Sequence, residues 1–377
     1  MRSIIRSEEG KIRWGVVFLF IIGFLIIVPI ILWFSDPSTP ITAVMLDKTV
    51  PNFEYREHRA PTWVLNHYKY VKRGTGDRFK FDKDYVGFFP EKDKKYHITT
   101  FPPKEQHYDL IYLADTYGVY QGNFLKEGDE GSRHTLIYGG LESEEVAWVM
   151  KHLRNGTVLV AEFNVFGSPT EEGPRKLMTD ILGINWGGWI GRYIPDLTEG
   201  GEVADWVVRA WEGKHQKEWT FTGPGFVFVH LDETLLVMPD PESEGVRVVF
   251  PEEQREYYGT INNAHYNYWF DVVSPNEGTE VIGNYVMDIS EKNKEILREV
   301  GIPATLPAIF KRKNFNYTSY YFAGDFADTN IVPVFYKYKW MADIFKYMIF
   351  SERSPAESFL WSVYIPLMNT ILSEVPR

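Results

Sequence analysis

The stretch that decides the fold class is TLIYGGLESEEVAWVMKHLRNGTVLVA, residues 135–161. It begins with the apolar run Thr135–Tyr138 and ends with Thr157–Ala161, and both runs have the length of a buried strand. Between them, Ser143–Arg154 has the residues typical of a helix: Ser143 as N-cap, acidic residues in the first turn, basic residues in the last, and an Asn-Gly pair beyond. The stretch therefore predicts strand, helix, strand, the unit of a parallel sheet covered by helices.

The same alternation continues on both sides of this stretch. Further strands are predicted at Ile41–Leu46, Asp109–Ala114, Thr279–Asp288, Thr305–Phe310 and Ser319–Ala323. Further helices are predicted at Tyr55–Tyr70, Glu171–Leu182 and Ser290–Val300. This order predicts an α/β domain over residues 41–328 with a mainly parallel, flavodoxin-like sheet.

Two segments depart from this pattern. Residues 183–278 are rich in Trp and Gly, and they contain two strand-like runs that turn at Asp232-Glu233, so they predict a β-rich, Trp-rich insertion. Residues 329–377 predict a C-terminal helical extension with helices at Trp340–Phe350 and Ser358–Leu372. Both helices are too short to cross a bilayer; packing on the domain is the favoured interpretation, and an interfacial or partner-binding role is the alternative.

The N-terminus contains a predicted membrane span. Trp14–Phe34 has no charged residue, and its 21 residues would extend about 31 Å as a helix, close to the thickness of the hydrocarbon core. The alternatives are a signal peptide, whose apolar region is normally shorter, and a buried core helix. The span is the favoured interpretation because aromatic residues stand at both of its ends, as they do at membrane interfaces.

The charges around the span predict its orientation. Residues 1–13 carry four basic and two acidic side chains, whereas Asp36 follows the span directly. The positive-inside rule then places residues 1–13 in the cytoplasm, and residues 35–40 form a linker to an extracytoplasmic domain. We therefore expect a single-pass protein of the cell membrane.

Composition excludes several classes of function. The net charge is −11, and because the first thirteen residues contribute +2, the remainder carries −13. A nucleic-acid partner is disfavoured, since such binding depends on basic patches that neutralise phosphates. The chain has no cysteine, which excludes disulfides, thiolate zinc sites and cysteine nucleophiles.

Three stretches carry a family resemblance: DLIYLADTYGVY from residue 109, HTLIYGGLESEEVAWVMKHLRNGTVLVAEFN from residue 134, and GIPATLPAIFKRKNFNYTSYYFAGDFAD from residue 301. Together they resemble the class I glutamine amidotransferase-like superfamily, in particular its catalytically divergent branches such as the trimerisation-type domain of some β-galactosidases. In the amidotransferases proper, a cysteine occupies the strand-to-helix elbow. Here the elbow reads YGGLE at residues 138–142, so the resemblance implies a fold that has lost the thiol chemistry.

Acidic residues follow several of the predicted strands. In open parallel sheets, ligands bind in the crevice beyond the carboxyl ends of the strands. The candidate ligand-binding residues at this edge are Asp47, Asp115, Glu162, Asn164 and Asp325. Two such carboxylates could hydrolyse a glycoside, and a group of them could hold Ca²⁺ or Mg²⁺, while no organic cofactor is indicated. The alternative for each residue is a structural role as a helix cap or loop acceptor.

Three other positions are weaker candidates. Arg192 is a possible charge partner of a strand-end acid or a binder of an anionic group, and His265 lies in a stretch of amides and aromatics that could line a cleft. Glu57, His58 and Arg59 open the first predicted helix, where a solvated turn is the favoured interpretation.

Two classes of function remain open at this point. The first is an accessory or binding protein of cell-envelope or exopolysaccharide assembly, with a glycan or a membrane protein complex as partner; aromatic faces in the insertion would suit recognition. The second is a carbohydrate-active hydrolase that uses strand-end carboxylates. The first is favoured because the superfamily's nucleophile is missing. Acids satisfied by backbone amides would support it, and a pair of acids open to a pocket would support the hydrolase.

Overall fold

The computed structural model describes residues 2–122, 124, 135–329, 337–341 and 358–375, with side chains from Trp14 onward. The helices are α1 (Arg2–Ser35), α2 (Arg56–His67), α3 (Ser143–His152), α4 (Glu172–Leu182), α5 (Asp205–His215), α6 (Glu252–Tyr258), α7 (Glu291–Glu299) and α8 (Ile365–Ser373). A π-helical turn, Leu360–Tyr364, precedes α8. The predicted helix Trp340–Phe350 lies largely outside the described residues.

Eighteen strands are described. The first nine are β1 (Thr39–Ile41), β2 (Ala43–Asp47), β3 (Tyr70–Lys72), β4 (Val86–Pro90), β5 (Tyr96–Thr99), β6 (Leu110–Asp115), β7 (Val119–Tyr120), β8 (Leu136–Tyr138) and β9 (Thr157–Ala161). The others are β10 (Ile184–Ile194), β11 (Gly225–His230), β12 (Leu235–Pro239), β13 (Gly245–Val249), β14 (Asn263–Tyr266), β15 (Phe270–Pro275), β16 (Thr279–Asp288), β17 (Thr305–Lys313) and β18 (Tyr317–Phe322).

The largest sheet has ten strands in the order β14-β13-β16-β17-β18-β9-β6-β2-β4-β5. Its centre is parallel: β18, β9, β6, β2 and β4 pair in that manner, and β2, β6 and β9 are almost entirely buried because helices cover them. The pairs outside this centre are antiparallel. The sheet is therefore mixed, and the parallel flavodoxin-like character expected from the sequence is limited to its central strands. The parallel unit predicted at residues 135–161 is wrong in its first strand, because β8 pairs antiparallel with β7 in a separate two-stranded sheet. The strand that pairs parallel with β9 is β6, which precedes that small sheet in the chain.

The local connections explain the antiparallel part. Three residues join β17 to β18, a link far too short for the crossover that a parallel pair needs. β16 and β17 have α7 between them, which resembles a parallel unit in sequence. The two strands instead pair antiparallel, with Val286 opposite Thr305. Helix α7 therefore lies in the connection of an antiparallel pair, where the chain reverses direction.

Within residues 183–278, β12, β11, β10 and β15 form a separate four-stranded antiparallel sheet, while β13 and β14 join the large sheet. α5 packs on the small sheet around a core of its own that includes Val207, Trp219 and Val227. Trp211 meets the Trp219 ring edge-on at 5.7 Å between centroids. Several of the insertion's aromatic side chains thus stabilise a second core rather than form an open face.

Helix α1 contains an apolar segment, Trp14–Ser35, that is long enough to cross a membrane; its mean hydropathy is 3.2, and only 6% of its most apolar window is buried in the protein. Exposure of this kind is costly in water, since it leaves large apolar side chains such as Phe20 unburied. Orientation across a membrane stays a prediction.

The start of α3 differs from the sequence prediction. Glu142, not Ser143, is the N-cap: its side chain accepts the backbone N–H of Glu145, and the Glu145 carboxylate accepts the Glu142 N–H at 2.8 Å. This reciprocal pair is a capping box, which satisfies two N–H groups that the helix itself cannot bond. Ser143 is the first residue inside the helix.

Candidate functional site

The carboxyl ends of β2, β6, β9 and β18 meet at one edge of the large sheet, as the parallel register requires. Asp47 and Asp115 are the last residues of β2 and β6, Glu162 follows β9, and Asp325 lies in the loop after β18. The chain thus brings the four predicted acids to one edge, and their hydrogen bonds show what each of them does there.

Asp47 is fully buried and forms part of the scaffold. Its Oδ2 lies 2.5 Å from His58 Nδ1, and its Oδ1 accepts the Thr49 N–H at 2.8 Å. The other ring nitrogen of His58 lies 2.6 Å from the carbonyl oxygen of Phe81. His58 is also fully buried, so the solvated turn expected at the start of α2 is wrong for this residue: the ring links the strand to the helix.

Asp115 is a second buried acceptor. Its Oδ1 accepts the Thr49 hydroxyl at 2.6 Å and the Tyr117 N–H at 2.5 Å, and its Oδ2 accepts the Asn164 side-chain amide at 2.9 Å. Burial raises the pKa of Asp115 to about 7, against the effect of these donors, which favour the charged form. Asn164 therefore holds the carboxylate in position.

Glu162 fixes the loop after β18. Its Oε2 accepts the backbone N–H groups of Phe326 at 2.9 Å and Ala327 at 3.0 Å, and its Oε1 accepts the Tyr112 hydroxyl. Burial raises its pKa well above the usual range of a glutamate. Because this loop contains Asp325, Glu162 also sets where that residue lies.

Three further acids converge at this edge: Glu57, at the start of α2, and Asp325 and Asp328, in the loop after β18. One carboxylate oxygen from each of these three residues lies within 4.8 Å of one such oxygen from each of the other two. We call the three residues the acidic cluster. Glu57 and Asp325 are half-buried, whereas Asp328 is buried and pairs with Arg56 through two hydrogen bonds, one of them 2.7 Å between Nε and Oδ1. Oxygen ligands at this spacing could hold a hard divalent cation.

The electrostatics of the acidic cluster are those of crowded carboxylates. Burial raises the pKa of Glu57 and Asp325 well above their usual range, and the charges of Asp328 and Asp115 raise both further. The pKa of Asp328 is raised less, because Arg56 opposes the effect of burial. Without a cation, the cluster therefore retains protons that a bound cation would displace.

The two remaining predicted residues lie elsewhere in the fold. Arg192 pairs with Glu202 at 3.4 Å, so its partner is not a strand-end acid, although its charge acts on Asp325 and Asp328. His265 is exposed on the edge strand β14, and it pairs across the ladder with Arg247 rather than lining a cleft.

Sequence reasoning missed two residues of this edge. Asp328 could have been found from the spacing in GDFAD at residues 324–328, where two acids three residues apart follow the last strand. Lys48 carries no such signal. It is fully buried beneath the YGGLE elbow, and its Nζ donates to the Gly140 carbonyl at 2.7 Å and pairs with Glu145 at 2.8 Å.

No protein-family model and no curated protein matches this sequence. No family is therefore shown, and the amidotransferase-like resemblance stays a prediction. Among solved structures, the chain is similar to Agd3, described as a novel carbohydrate deacetylase, with a TM-score of 0.35 and 9% identity. The similarity covers 76% of this chain but 30% of that one, and at this score it carries no argument about activity.

Proposed function

We propose that this chain is a membrane-anchored, extracytoplasmic accessory or binding protein of cell-envelope or exopolysaccharide assembly, and that the acidic cluster is its ligand site. The observation that carries the proposal is the convergence of Glu57, Asp325 and Asp328 within 4.8 Å at the strand-end edge. The occupant we propose is Ca²⁺ or Mg²⁺, which takes carboxylate and water oxygens as ligands.

The hydrogen bonds of the other strand-end acids support a binding role. Asp115 and Glu162 accept backbone N–H groups, and Asp47 accepts one as well, so these three are occupied as scaffold. Tyr268, half-buried, has its pKa raised by burial and by the charges of Asp328 and Asp325, which places it within electrostatic range of the acidic cluster. A cation beside an aromatic ring is a suitable arrangement for a polyhydroxylated glycan.

Isothermal titration of the purified full chain with Ca²⁺ and with Mg²⁺ tests the site. Glu57→Gln and Asp325→Asn should each weaken binding about tenfold or more, and binding should release protons, because the raised pKa values of both acids fall when a cation arrives. The matched control is Glu295→Gln, which removes an exposed acid on α7. Equal affinity in wild type and both cluster variants would contradict the proposal.

A carbohydrate-active hydrolase is the second candidate, and one observation favours it. Glu57 and Asp325 are half-buried neighbours with raised pKa values, as a general acid requires, and Asp328 is kept closer to its ionised form by Arg56. Hydrolysis of a labelled oligosaccharide panel separates the two functions. Turnover abolished by Glu57→Gln supports the hydrolase, and cation-dependent glycan retention without turnover supports the binding protein.

A further inference from the structure

The end of the apolar segment of α1 is fixed to the domain. Trp33 is only 2% exposed although the residues before it are largely open, and its indole N–H donates to the His67 carbonyl at 2.9 Å. The Tyr338 ring meets it edge-on at 5.4 Å between centroids. Because a tryptophan at the end of a span lies at the level of the lipid headgroups, this contact holds one face of the domain against the bilayer.

Three cations surround the Trp33 ring. The Arg78 guanidinium lies 4.2 Å from the ring centroid, and the Nζ atoms of Lys69 and Lys337 lie at 4.6 and 5.6 Å. Over the part of the chain that the structure describes, no carboxylate forms an ion pair with any of the three; the nearby Asp36 is paired with Lys339 at 3.0 Å. We call Lys69, Arg78 and Lys337 the basic collar.

The basic collar is a crowded group of like charges. Burial lowers the pKa of Lys69 and Lys337, and the charge of Arg78 lowers both further, while Asp36 offsets part of the effect at Lys69. The rest of the protein is strongly acidic, so this local excess of positive charge is not a property of the whole surface. An anion placed beside the collar would relieve the repulsion.

A cavity of about 570 Å³ adjoins the collar at the same level as Trp33. Its lining includes the aromatic residues Trp33, Tyr257, Trp340 and Trp361, and charges of both signs, with Lys69 and Lys339 against Asp36 and Glu256. Of the basic collar, Lys69 lines the cavity, and Arg78 and Lys337 lie beside it. Tyr257 and Trp340 are about half exposed, as aromatic side chains at a membrane interface commonly are. We call this cavity the membrane-proximal pocket.

We infer that the membrane-proximal pocket binds the phosphate-bearing headgroup of an anionic bilayer lipid, with Lys69 facing the phosphate and Arg78 and Lys337 adding positive charge beside the pocket. The inference rests on the proposed anchoring of α1 and holds for either orientation, since both leaflets present phosphates. The cavity is large enough for a headgroup, and the aromatic rim suits the boundary between acyl chains and water.

The test uses the purified full chain in a neutral detergent. Short-chain phosphatidylglycerol, the diacylglycerol with the same acyl chains and inorganic phosphate are titrated against wild type, Lys69→Gln/Lys337→Gln and the control Lys176→Gln/Lys313→Gln. The control removes two exposed lysines away from the pocket. Phosphatidylglycerol should bind wild type and control alike, and the collar variant about 10- to 30-fold more weakly.

Three outcomes would overturn the inference: equal binding of diacylglycerol and phosphatidylglycerol, inorganic phosphate binding as tightly as the lipid, or a collar variant that binds like the control. Far-ultraviolet circular dichroism confirms that the collar variant is folded. Alkaline carbonate extraction of membranes separates this question from anchoring. A chain that remains in the pellet without headgroup selectivity refutes only the pocket, whereas a chain released into the supernatant refutes the anchor.

Discussion

At the scale of the residue, Asp115 shows how the fold decides the state of a side chain. Three donors stabilise its carboxylate, yet burial dominates and raises the pKa to about 7. Between about pH 4 and pH 7, Asp115 is therefore protonated in the folded chain and ionised in the unfolded chain, where an aspartate has a pKa of about 3.9. Its contribution to stability is present in full below about pH 4 and is lost as the pH rises through about 7.

Asp115→Asn should be less stable than wild type by about 1–3 kcal/mol at pH 5, because an amide cannot accept all three hydrogen bonds. The deficit should shrink at pH 8, where wild type pays for burying an ionised Asp115. Urea unfolding with EDTA present, at both pH values, checks this. The exposed Asp180→Asn should show neither effect, and a deficit that grows with pH would show that the sign is wrong.

At the scale of the element, a buried ion pair joins β2 to α3. Lys48, the residue after β2, contacts Glu145 in the first turn of α3 and lies 4.5 Å from the centroid of the Tyr138 ring. The Nζ of Lys48 also donates a hydrogen bond to the Gly140 carbonyl. The YGGLE elbow thus has a buried, paired lysine beneath it, which supports a structural role for this junction.

Lys48→Met should destabilise the fold by about 3–5 kcal/mol, because Glu145, only 11% exposed, loses the cation that offsets its burial and, within the described residues, keeps only the Glu142 N–H as a donor. Lys48→Met/Glu145→Gln removes the charge of Glu145 and should recover part of the loss. Urea denaturation of the two variants beside wild type measures both steps. A double variant no more stable than Lys48→Met would contradict the ion-pair argument.

Glu142→Ala tests the cap of α3 separately. It removes the carboxylate that accepts the Glu145 N–H, so the free energy of unfolding should fall by about 0.5–2 kcal/mol. Ser143→Ala is the matched control and should be nearly neutral, since Ser143 is inside the helix. A larger effect for Ser143→Ala would restore the capping role that the sequence alone suggests.

At the scale of the whole molecule, Trp33 joins the apolar helix α1 to the domain, because its indole N–H donates to the His67 carbonyl. We expect protease added to intact spheroplasts to digest the domain, because the basic N-terminal flank favours a cytoplasmic N-terminus. Immunoblotting against a C-terminal tag measures the digestion, and a cytoplasmic marker protein controls for lysis. Full protection until lysis would reverse the orientation.

The sequence determined those features that local pattern controls. The apolar length of residues 14–34 predicts a span, and the run of buried strands predicts an α/β sheet, since periodicity and length are properties of single segments. The charge pattern of residues 143–154 likewise predicts the helix α3. The strand-end position of Asp47, Asp115 and Glu162 follows from the same pattern.

Tertiary structure alone decided strand direction and the identity of the candidate site. β16, α7 and β17 have the sequence of a parallel unit and pair antiparallel, because register depends on what each strand meets. Glu57 and Asp328 are 271 positions apart, and only the approach of α2 to the loop after β18 brings their carboxylates together. Of the four strand-end acids that the sequence favoured, Asp325 belongs to the acidic cluster. Asp47, Asp115 and Glu162 instead accept backbone N–H groups, and no sequence pattern reveals those donors.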